Sequence, residues 1–433
     1  MKHLMHQLTV FIALLCATFS HASVLNIVPE SVDAAAWIIY DPQSEQVIAE
    51  HQSHVQRAPA SLTKMMVAYI TLKEIQAGRL KTTDVITATN IVHVVQGDES
   101  QMHLRVGQQI TVDQLLTGLI VMSANDAAVT LAERIAGDIP HFVDQMNAEA
   151  KSLGMKNSHF MNPAGITMDA HYSSAADLAI LADHLIKQYP NYLYYSKQLS
   201  YTWNGRIHHA TNGLLKQDPT VDGLKTGYTQ AAGYNLALTA QRENIDQKLN
   251  QRRLIVVVLG TKSAQKRLQI ADQLLNLAYR YTQDEIILNP KQPIALFPVI
   301  SGKVKSYTLY NPKPHTITAS LYGSDRPINL KYFDRSTQLI KENDQFVQPL
   351  EHTRLRLNVQ LTQKELIAPL KQNLNLASIQ VFQNNQLIKD IPLSMHVQLE
   401  QASWFERLIE WFKYNLPFFS HEKQTKTTIY PVK

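Results

Sequence analysis

Strand pattern occurs in two places far apart in this chain, and helical pattern fills the distance between them. The stretch "AAWIIYDPQSEQVIAEH", residues 35 to 51, reads as two strands joined at the turn pair Asp41-Pro42. Strand signals return between about residues 199 and 260, as "TVDGLKTGYT", "GYNLALTA" and "RRLIVVVLG", punctuated by glycines and a charged turn. A helix, "KRLQIADQLLNLAYRYT", closes this part. The pattern predicts an α/β (α+β) domain whose single sheet is built from distant segments and packed on a helical region.

The helical region begins at "PASLTKMM", where Leu62, Met65, Met66, Tyr69, Leu72 and Ile75 recur at helical spacing and Gly78 ends the run. Pro59 just ahead places Ser61 and Lys64 near the first turn. A loop, "VQGDESQMHLRVGQQ", follows, and Thr111 with Gln114 forms a capping box for "VDQLLTGLIVM". That helix breaks at "SANDAA"; further helices are expected in "DAAVTLAERIAG" and "SSAADLAILADHLIKQY".

The two ends of the chain suggest a location. Lys2 precedes the apolar stretch "LTVFIALLCATF", which ends at the small-residue tripeptide Ser20-His21-Ala22. This is the pattern of a secretory leader over residues 1–22, too short for the roughly 20 residues of a spanning helix. The only cysteine, Cys16, follows the bulky Leu15, which does not suit a lipobox, and it lies within that leader. The mature chain therefore has no disulfide framework and must be stable through its core. The main domain is expected over residues 24–283. Beyond Asp284, prolines from Pro290 to Pro349 punctuate short alternating strands such as "KVKSYTLY" and "RLRLNVQLT", which predict a small all-β domain over residues 284–400. In the tail, residues 403–420, Trp404, Phe405, Leu408, Trp411, Phe412 and Leu416 share one helical face opposite Glu406, Arg407, Glu410 and Lys413. An amphipathic helix of this kind is expected to lie in a membrane surface. A net charge of +5 without a dense basic stripe argues against nucleic acid as a partner.

Lys64 is the conspicuous residue of the first helix. A desolvated lysine amine loses its charge and can act as a base towards a serine, and residues three apart on a helix share a face. Ser61 Oγ and Lys64 Nζ are thus placed to meet. Ser-x-x-Lys alone is weak evidence, since about one or two are expected by chance in a chain this long. Two more occur here, at Ser263–Lys266 and Ser420–Lys423, the first opening a surface helix and the second in the polar tail. Ser123-Ala124-Asn125 lies where one helix stops and another starts, so it reads equally as a helix-cap turn or as a hydroxyl and an amide facing a cleft. Lys225-Thr226-Gly227 follows a strand-like run, and such a triplet is expected only roughly a few hundredths of a time. Lys225 supplies a positive charge, Thr226 a donor, and Gly227 close access to the strand.

Ser-x-x-Lys, Ser-x-Asn and Lys-Thr-Gly in this order resemble the penicillin-recognising serine transferases. "DPQSEQVIAEHQ", "SANDAAVTLAERIAG", "MNPAGI", "YSSAADLAILA", "NGLL" and "VDGLKTGYTQAAGYNL" extend the resemblance to the low-molecular-mass D-alanyl-D-alanine carboxypeptidases, over essentially the whole chain. The resemblance implies a penicillin-binding, β-lactamase-like domain with an antiparallel sheet flanked by helices. It implies Ser61 as the acyl-ester nucleophile, Lys64 as general base and Ser123 as proton relay. Asn125 would hold the acyl-side peptide of the substrate, and Lys225, Thr226 and Gly227 would line the seat of its free carboxylate. The backbone N–H groups of Ser61 and Tyr228 would stabilise the oxyanion. The implied substrate is a peptidoglycan stem peptide ending in D-Ala-D-Ala, β-lactams would be covalent inhibitors, and the implied place is the periplasmic face of the inner membrane.

Ala124 stands where relatives often carry Gly or Asp, and Tyr228 where many carry His. Some relatives place an arginine that assists carboxylate binding after the last strand, and Lys262 is the nearest match there, without the bidentate fork of an arginine. A D,D-endopeptidase would use the same residues. A class A β-lactamase is disfavoured because no glutamate occurs between Glu149 and Glu243. An inactive wall-binding protein is not expected to keep Ser61, Lys64 and Lys225. No cofactor or metal is expected: no His-Glu-x-x-His occurs, and His208-His209 reads as part of a solvated turn.

Overall fold

The computed structural model describes residues 23–243, 251–323, 325–415 and 426–432. The expected leader, with Cys16, and the end of the tail, 416–420, lie outside the described residues. A five-stranded antiparallel sheet organises the first body. Its strands are β1 (Ala36–Asp41), β2 (Gln46–His51), β3 (Val221–Thr229), β4 (Gly233–Glu243) and β5 (Gln251–Thr261), in the order β2-β1-β5-β4-β3. The two early strands join the late ones through β5, where Val257 stands opposite both Ile38 and Ala237.

The apolar run of β5 is explained by this central place. Ile255, Val257 and Leu259 point into one core, and Leu254, Val256 and Val258 into another. A strand covered on both faces needs apolar residues at every position, whereas a half-exposed strand alternates. The first core is helical: α1 (Lys64–Gln76), α2 (Val112–Thr117), α3 (Asn125–Ala136), α4 (Ile139–Ser152) and α5 (Ala175–Gln188) cover that face. On the other side α6 (Ala264–Tyr281) covers the sheet through Ile270, Leu274, Leu277 and Ala278. Helix α1 is buried all around from Lys64 to Leu72, so its position is fixed by packing on every side. The capping box at Thr111 and Gln114 forms, with Thr111 Oγ1 accepting from the Gln114 amide at 3.2 Å and Gln114 Oε1 accepting from the Thr111 amide at 2.9 Å. Ser263 likewise caps α6 through the Lys266 amide at 3.1 Å, so this Ser-x-x-Lys is a helix start. His208 and His209 lie on a strand, Arg206–His209, and the turn falls at Asn204-Gly205.

After α6 the chain is β-structured. A three-stranded sheet with two 14-residue strands, Leu370–Gln383 and Gln386–Leu399, packs with the strand Pro293–Ile300 around a third core that includes Phe297, Leu309, Ile379 and Val397. Residues 322–347 do not share that core. Ile328, Leu330, Phe333 and Ile340 pack with α6 and the outer sheet face, and Ile328 pairs in parallel with Ile27. The tail helix α7 (Trp404–Asn415) follows with its apolar side chains in solvent. Among the described residues no helix is long and apolar enough to cross a membrane.

A buried ionic cluster joins the two bodies. Arg252 Nε lies 2.8 Å from Asp41 and 3.0 Å from Asp284, and its Nη1 donates to Thr282 O at 2.9 Å. Asp284 also accepts from Thr318 Oγ1, whose backbone amide donates to Gln46. Burial, with Asp41 beside it, holds the Asp284 carboxyl above the usual carboxylate range, against the pull of the guanidinium. One cation thus serves two carboxylates from opposite sides of the junction. Removing it leaves two buried carboxyl groups without their cation, for which a loss of about 3–5 kcal/mol is typical. Arg252→Met is therefore expected to lower the free energy of unfolding by about that amount and the urea midpoint with it, and an unchanged midpoint would show that the cluster does not hold the bodies together.

Candidate active site

The turn that carries Ser61 is held by side chains outside the reacting groups. Asn235 on β4 donates through Nδ2 to Ala58 O at 3.0 Å and Pro59 O at 3.2 Å, and its Oδ1 accepts from Gly260 N at 2.8 Å. One side chain thus ties the approach to Ser61 to two strands. Ala60 has φ +50°, a left-handed conformation that costs a non-glycine residue about 1–3 kcal/mol and persists only where the surroundings enforce it. Thr63 Oγ1 donates to Ala60 O at 2.8 Å and meets His171 Nε2 at 2.9 Å. Because His171 Nδ1 accepts from Met161 N at 3.0 Å, Nε2 carries the ring proton and donates it to Thr63. Burial lowers His171 to about 4, so the ring stays neutral and serves as a strut.

Lys64 opens α1 directly after the short 3-10 turn Ala60–Thr63. Its side chain is fully buried, and Nζ lies 2.9 Å from Ser61 Oγ and 2.6 Å from Ala164 O. Burial lowers the amine to about 7, although Glu99 and Asp126 pull it upwards. At neutral pH a substantial share is therefore unprotonated and able to take a proton from Ser61. Ala164 O is aimed by an Asn-Pro turn: Asn162 Oδ1 accepts from Gly165 N at 2.7 Å and Ile166 N at 3.0 Å. Gly165 has φ +86°, and a Cβ there would stand 2.0 Å from Ala60 O, so only glycine fits.

A second serine–lysine pair faces the first. Helix α2 passes into a π-helical turn, Gly118–Met122, which ends at Ser123 with φ +60°. This turn aims the Ser123 hydroxyl at Lys225, whose Nζ donates to Ser123 Oγ at 2.9 Å and to Thr226 O at 2.8 Å. Burial, then the positive charges of Lys64 and Arg267, hold Lys225 well below the usual lysine range. Asn125 starts α3; its Nδ2 donates to Glu99, and its Oδ1 is buried without a hydrogen-bond partner. Thr226 Oγ1 meets Thr211 Oγ1 at 2.5 Å.

β3 has a neighbour on one side only, so its outer edge is open beside the Ser61 turn. A Cβ at Gly227 would lie 3.0 Å from Ser61 N and 3.1 Å from Pro59 O, which shows how closely the strand meets the turn. Tyr228, the next residue, is half exposed with its ring 4.2 Å from that of Tyr234. Ser61, Lys64, Ser123, Asn125, Lys225, Thr226 and Gly227 thus share one cleft between the sheet edge and the helices. Lys262 does not join them: its side chain is 82% exposed and pairs with Asp33 at 3.4 Å. The cation that does lie behind β3 is Arg267 on α6, buried, with Nη1 3.5 Å from Gly227 O and 3.3 Å from Asn235 O. Burial lowers it to about 10, which leaves it charged at neutral pH. It stands in the first turn of α6, whereas Lys262 precedes the helix, and the start of α6 at Ala264 turns it inward.

Comparisons with known proteins identify the family and the fold. Residues 23–263 match the family model described as D-alanyl-D-alanine carboxypeptidase. The chain is 32% identical over 413 residues to the D-alanyl-D-alanine carboxypeptidase DacA of Escherichia coli, covering 92% of this chain and 94% of that one. It is 33% identical over 398 residues to DacD of Salmonella typhimurium, with 89% and 91% covered. The crystal structure of penicillin binding protein 5 from Haemophilus influenzae superposes with a TM-score of 0.70 at 28% identity, covering 87% of this chain and 99% of that one. Penicillin-binding protein D2 from Listeria monocytogenes, solved in an ampicillin-bound form, matches at a TM-score of 0.50 and 29% identity over 56% of this chain and 96% of that one. By motif, by sequence along most of its length and by fold, this chain belongs to the D-alanyl-D-alanine carboxypeptidase family of serine hydrolases.

Proposed function

We propose that the protein removes the terminal D-alanine from peptidoglycan stem peptides ending in D-Ala-D-Ala, through an acyl-enzyme on Ser61. The observation that carries this reading is the fully buried Lys64 amine, 2.9 Å from Ser61 Oγ and lowered to about 7. The substrate lies along the open edge of β3, as an added strand would. Its free carboxylate meets Lys225 and Thr226, with the Arg267 charge behind them, and an arriving carboxylate restores the protonated form of Lys225.

Ser61 Oγ attacks the carbonyl carbon between the two D-alanines while its proton passes to Lys64. The oxyanion faces the amides of Ser61 and Tyr228, which come from a helix start and a strand and so need no reorganisation. The C–N bond then breaks, and Ser123 relays a proton to the departing D-alanine nitrogen. Water adds to the Ser61 ester, Ser61 recovers its proton, and the shortened stem leaves. A β-lactam carbonyl meets the same attack; there the ring opens, the nitrogen stays tethered and Ser61 stays acylated.

The proposed location is the periplasmic face of the inner membrane. In α7, Trp404 is 70% and Phe405 57% exposed, and Leu408, Ile409 and Phe412 are exposed too, which is unusual for apolar side chains that are not in contact with a partner or lipid. Ser403 starts the helix by accepting from the Glu406 amide.

Three outcomes are expected. Release of D-alanine from a short peptide ending in D-Ala-D-Ala should fall by roughly a thousandfold or more in Ser61→Ala, together with labelling by a fluorescent penicillin. Equal release from both proteins would remove Ser61 from the mechanism. In the wild type, kcat/KM should rise with pH through about 7 as Lys64 loses its proton, because only the neutral amine is a base. A flat profile from pH 5.5 to 8.5 would contradict this role. Finally, the chain from Ser23 should sediment with anionic lipid vesicles, and Trp404→Glu with Leu408→Glu should weaken that binding by roughly tenfold while D-alanine release persists. Undiminished sedimentation would assign membrane binding elsewhere.

A further inference from the structure

Beside the cleft stands a carboxylate, Glu99, whose field acts on Lys64 but which has no direct part in the proposed bond-making steps. Glu99 stands in the loop before α2, and that loop is firmly held. Asp126 accepts from the amides of Met102 at 2.9 Å and Leu104 at 3.0 Å, Trp203 Nε1 donates to Met102 O at 2.8 Å, and Asn125 N donates to Ser100 O at 2.7 Å. Both oxygens of Asp126 are thereby occupied inside the protein. Glu99 also accepts one hydrogen bond at each oxygen, from Asn125 Nδ2 and from Gln96 N at 3.1 Å, but it is only partly buried and forms no ion pair among the described residues, so its solvent-side lone pairs stay open to a further donor.

The atoms around it are short of donors. Asn125 Oδ1, on the same amide that meets Glu99, is buried and accepts no hydrogen bond. A carboxylate and an orphaned amide oxygen together offer acceptors to a group rich in N–H, and an ammonium carries three such donors and the opposite charge. The cleft's own cations do not pair with Glu99: Lys64 donates to Ser61 and Ala164, Lys225 to Ser123 and Thr226, and Arg267 lies behind β3. The rim past the end of β3, lined by Ile166, Thr167, Thr229, Gln230 and Ala231, is uncharged.

Position decides which part of a substrate meets this spot. On the carboxypeptidase reading, on which this inference rests, Asn125 holds the peptide on the acyl side of the scissile bond. The residue before D-Ala-D-Ala then has its side chain within reach of Glu99. We propose that Glu99 is a specificity-determining residue that favours stem peptides whose residue before D-Ala-D-Ala carries a free side-chain amine. The Glu99–Asn125 contact keeps the site closed on itself until the amine arrives.

Two tripeptides test this: Nα-acetyl-L-lysyl-D-Ala-D-Ala with its side-chain amine free, and the same peptide with that amine acetylated. The wild type should favour the free amine by roughly fivefold in kcat/KM at low salt, as a partly exposed ion pair allows, and less as ionic strength rises. Glu99→Gln keeps a carbonyl acceptor for Asn125 Nδ2 and removes only the charge, so the two peptides should come to within a factor of about two and lose the salt dependence of their ratio. A preference that survives Glu99→Gln, or a wild type that treats both peptides alike, overturns the assignment of Glu99 and leaves the carboxypeptidase reading in place. Release from neither peptide overturns both.

Discussion

The removal of one lysine amine from water is the condition on which the site rests. Lys64 has no exposed surface and lies at the start of a helix that is buried on all sides. In water an amine of this kind holds its proton until about pH 10.4 and is useless as a base at neutrality. Desolvation alone would drive the amine further than is useful. The fields of Glu99 and Asp126 oppose it, and the result is an amine near 7. The balance depends on the whole helical layer, because any opening that admitted water beside α1 would return the amine to its ordinary state. The sheet and helices act on the chemistry through this dielectric effect as much as through placement.

Placement is the second requirement, and it is met by backbone held in conformations that the local sequence would not choose. Ala60 and Ser123 both lie at positive φ, on the two sides of the cleft. Each is over-determined from outside: Ala60 O by Thr63, with His171 behind it, and Ser123 by the π-helical turn and by Lys225. Such strain belongs where side chains must be held before the substrate arrives.

The sequence showed the parts whose signal is local. The Ser61–Lys64 spacing, the Ser123-Ala124-Asn125 break, the rare Lys225-Thr226-Gly227 triplet and the capping box at Thr111 are short patterns with a chemical meaning. The sheet of distant segments was also legible, because strand pattern occurs on both sides of a long helical region, and the apolar run Leu254–Leu259 of β5 fits a strand covered on both faces. Contacts across long separations were not. Ala164 O reaches Lys64 from 100 residues away, and Asn235 reaches Ala58 from 177. The Asn162-Pro163 turn with Gly165 was the one local hint of the former. Arg267 was not legible because Lys262 is the cation next to the strand in sequence; α6 begins at Ala264, and its first turn carries Arg267 back under β3 while Lys262 stays in solvent.

The two lysines of the cleft also constrain one another. Lys225 is depressed by burial and by the charges of Lys64 and Arg267, so the empty site resists holding every cation at once. A substrate carboxylate at Lys225 changes that balance, since it stabilises the protonated form there and offsets the positive field that the cleft presents. On the proposed reaction, binding would sort the protons: the charge would be kept on Lys225, where the carboxylate needs it, while the amine beside Ser61, lowered by burial, would stay free to act as the base. A peptide without a terminal carboxylate would leave the cations unsorted. On the proposed function, discrimination for the free end of a stem peptide would arise in the protonation of the site as well as in its shape, and the same burial that lowers Lys64 would make Lys225 a selective anchor.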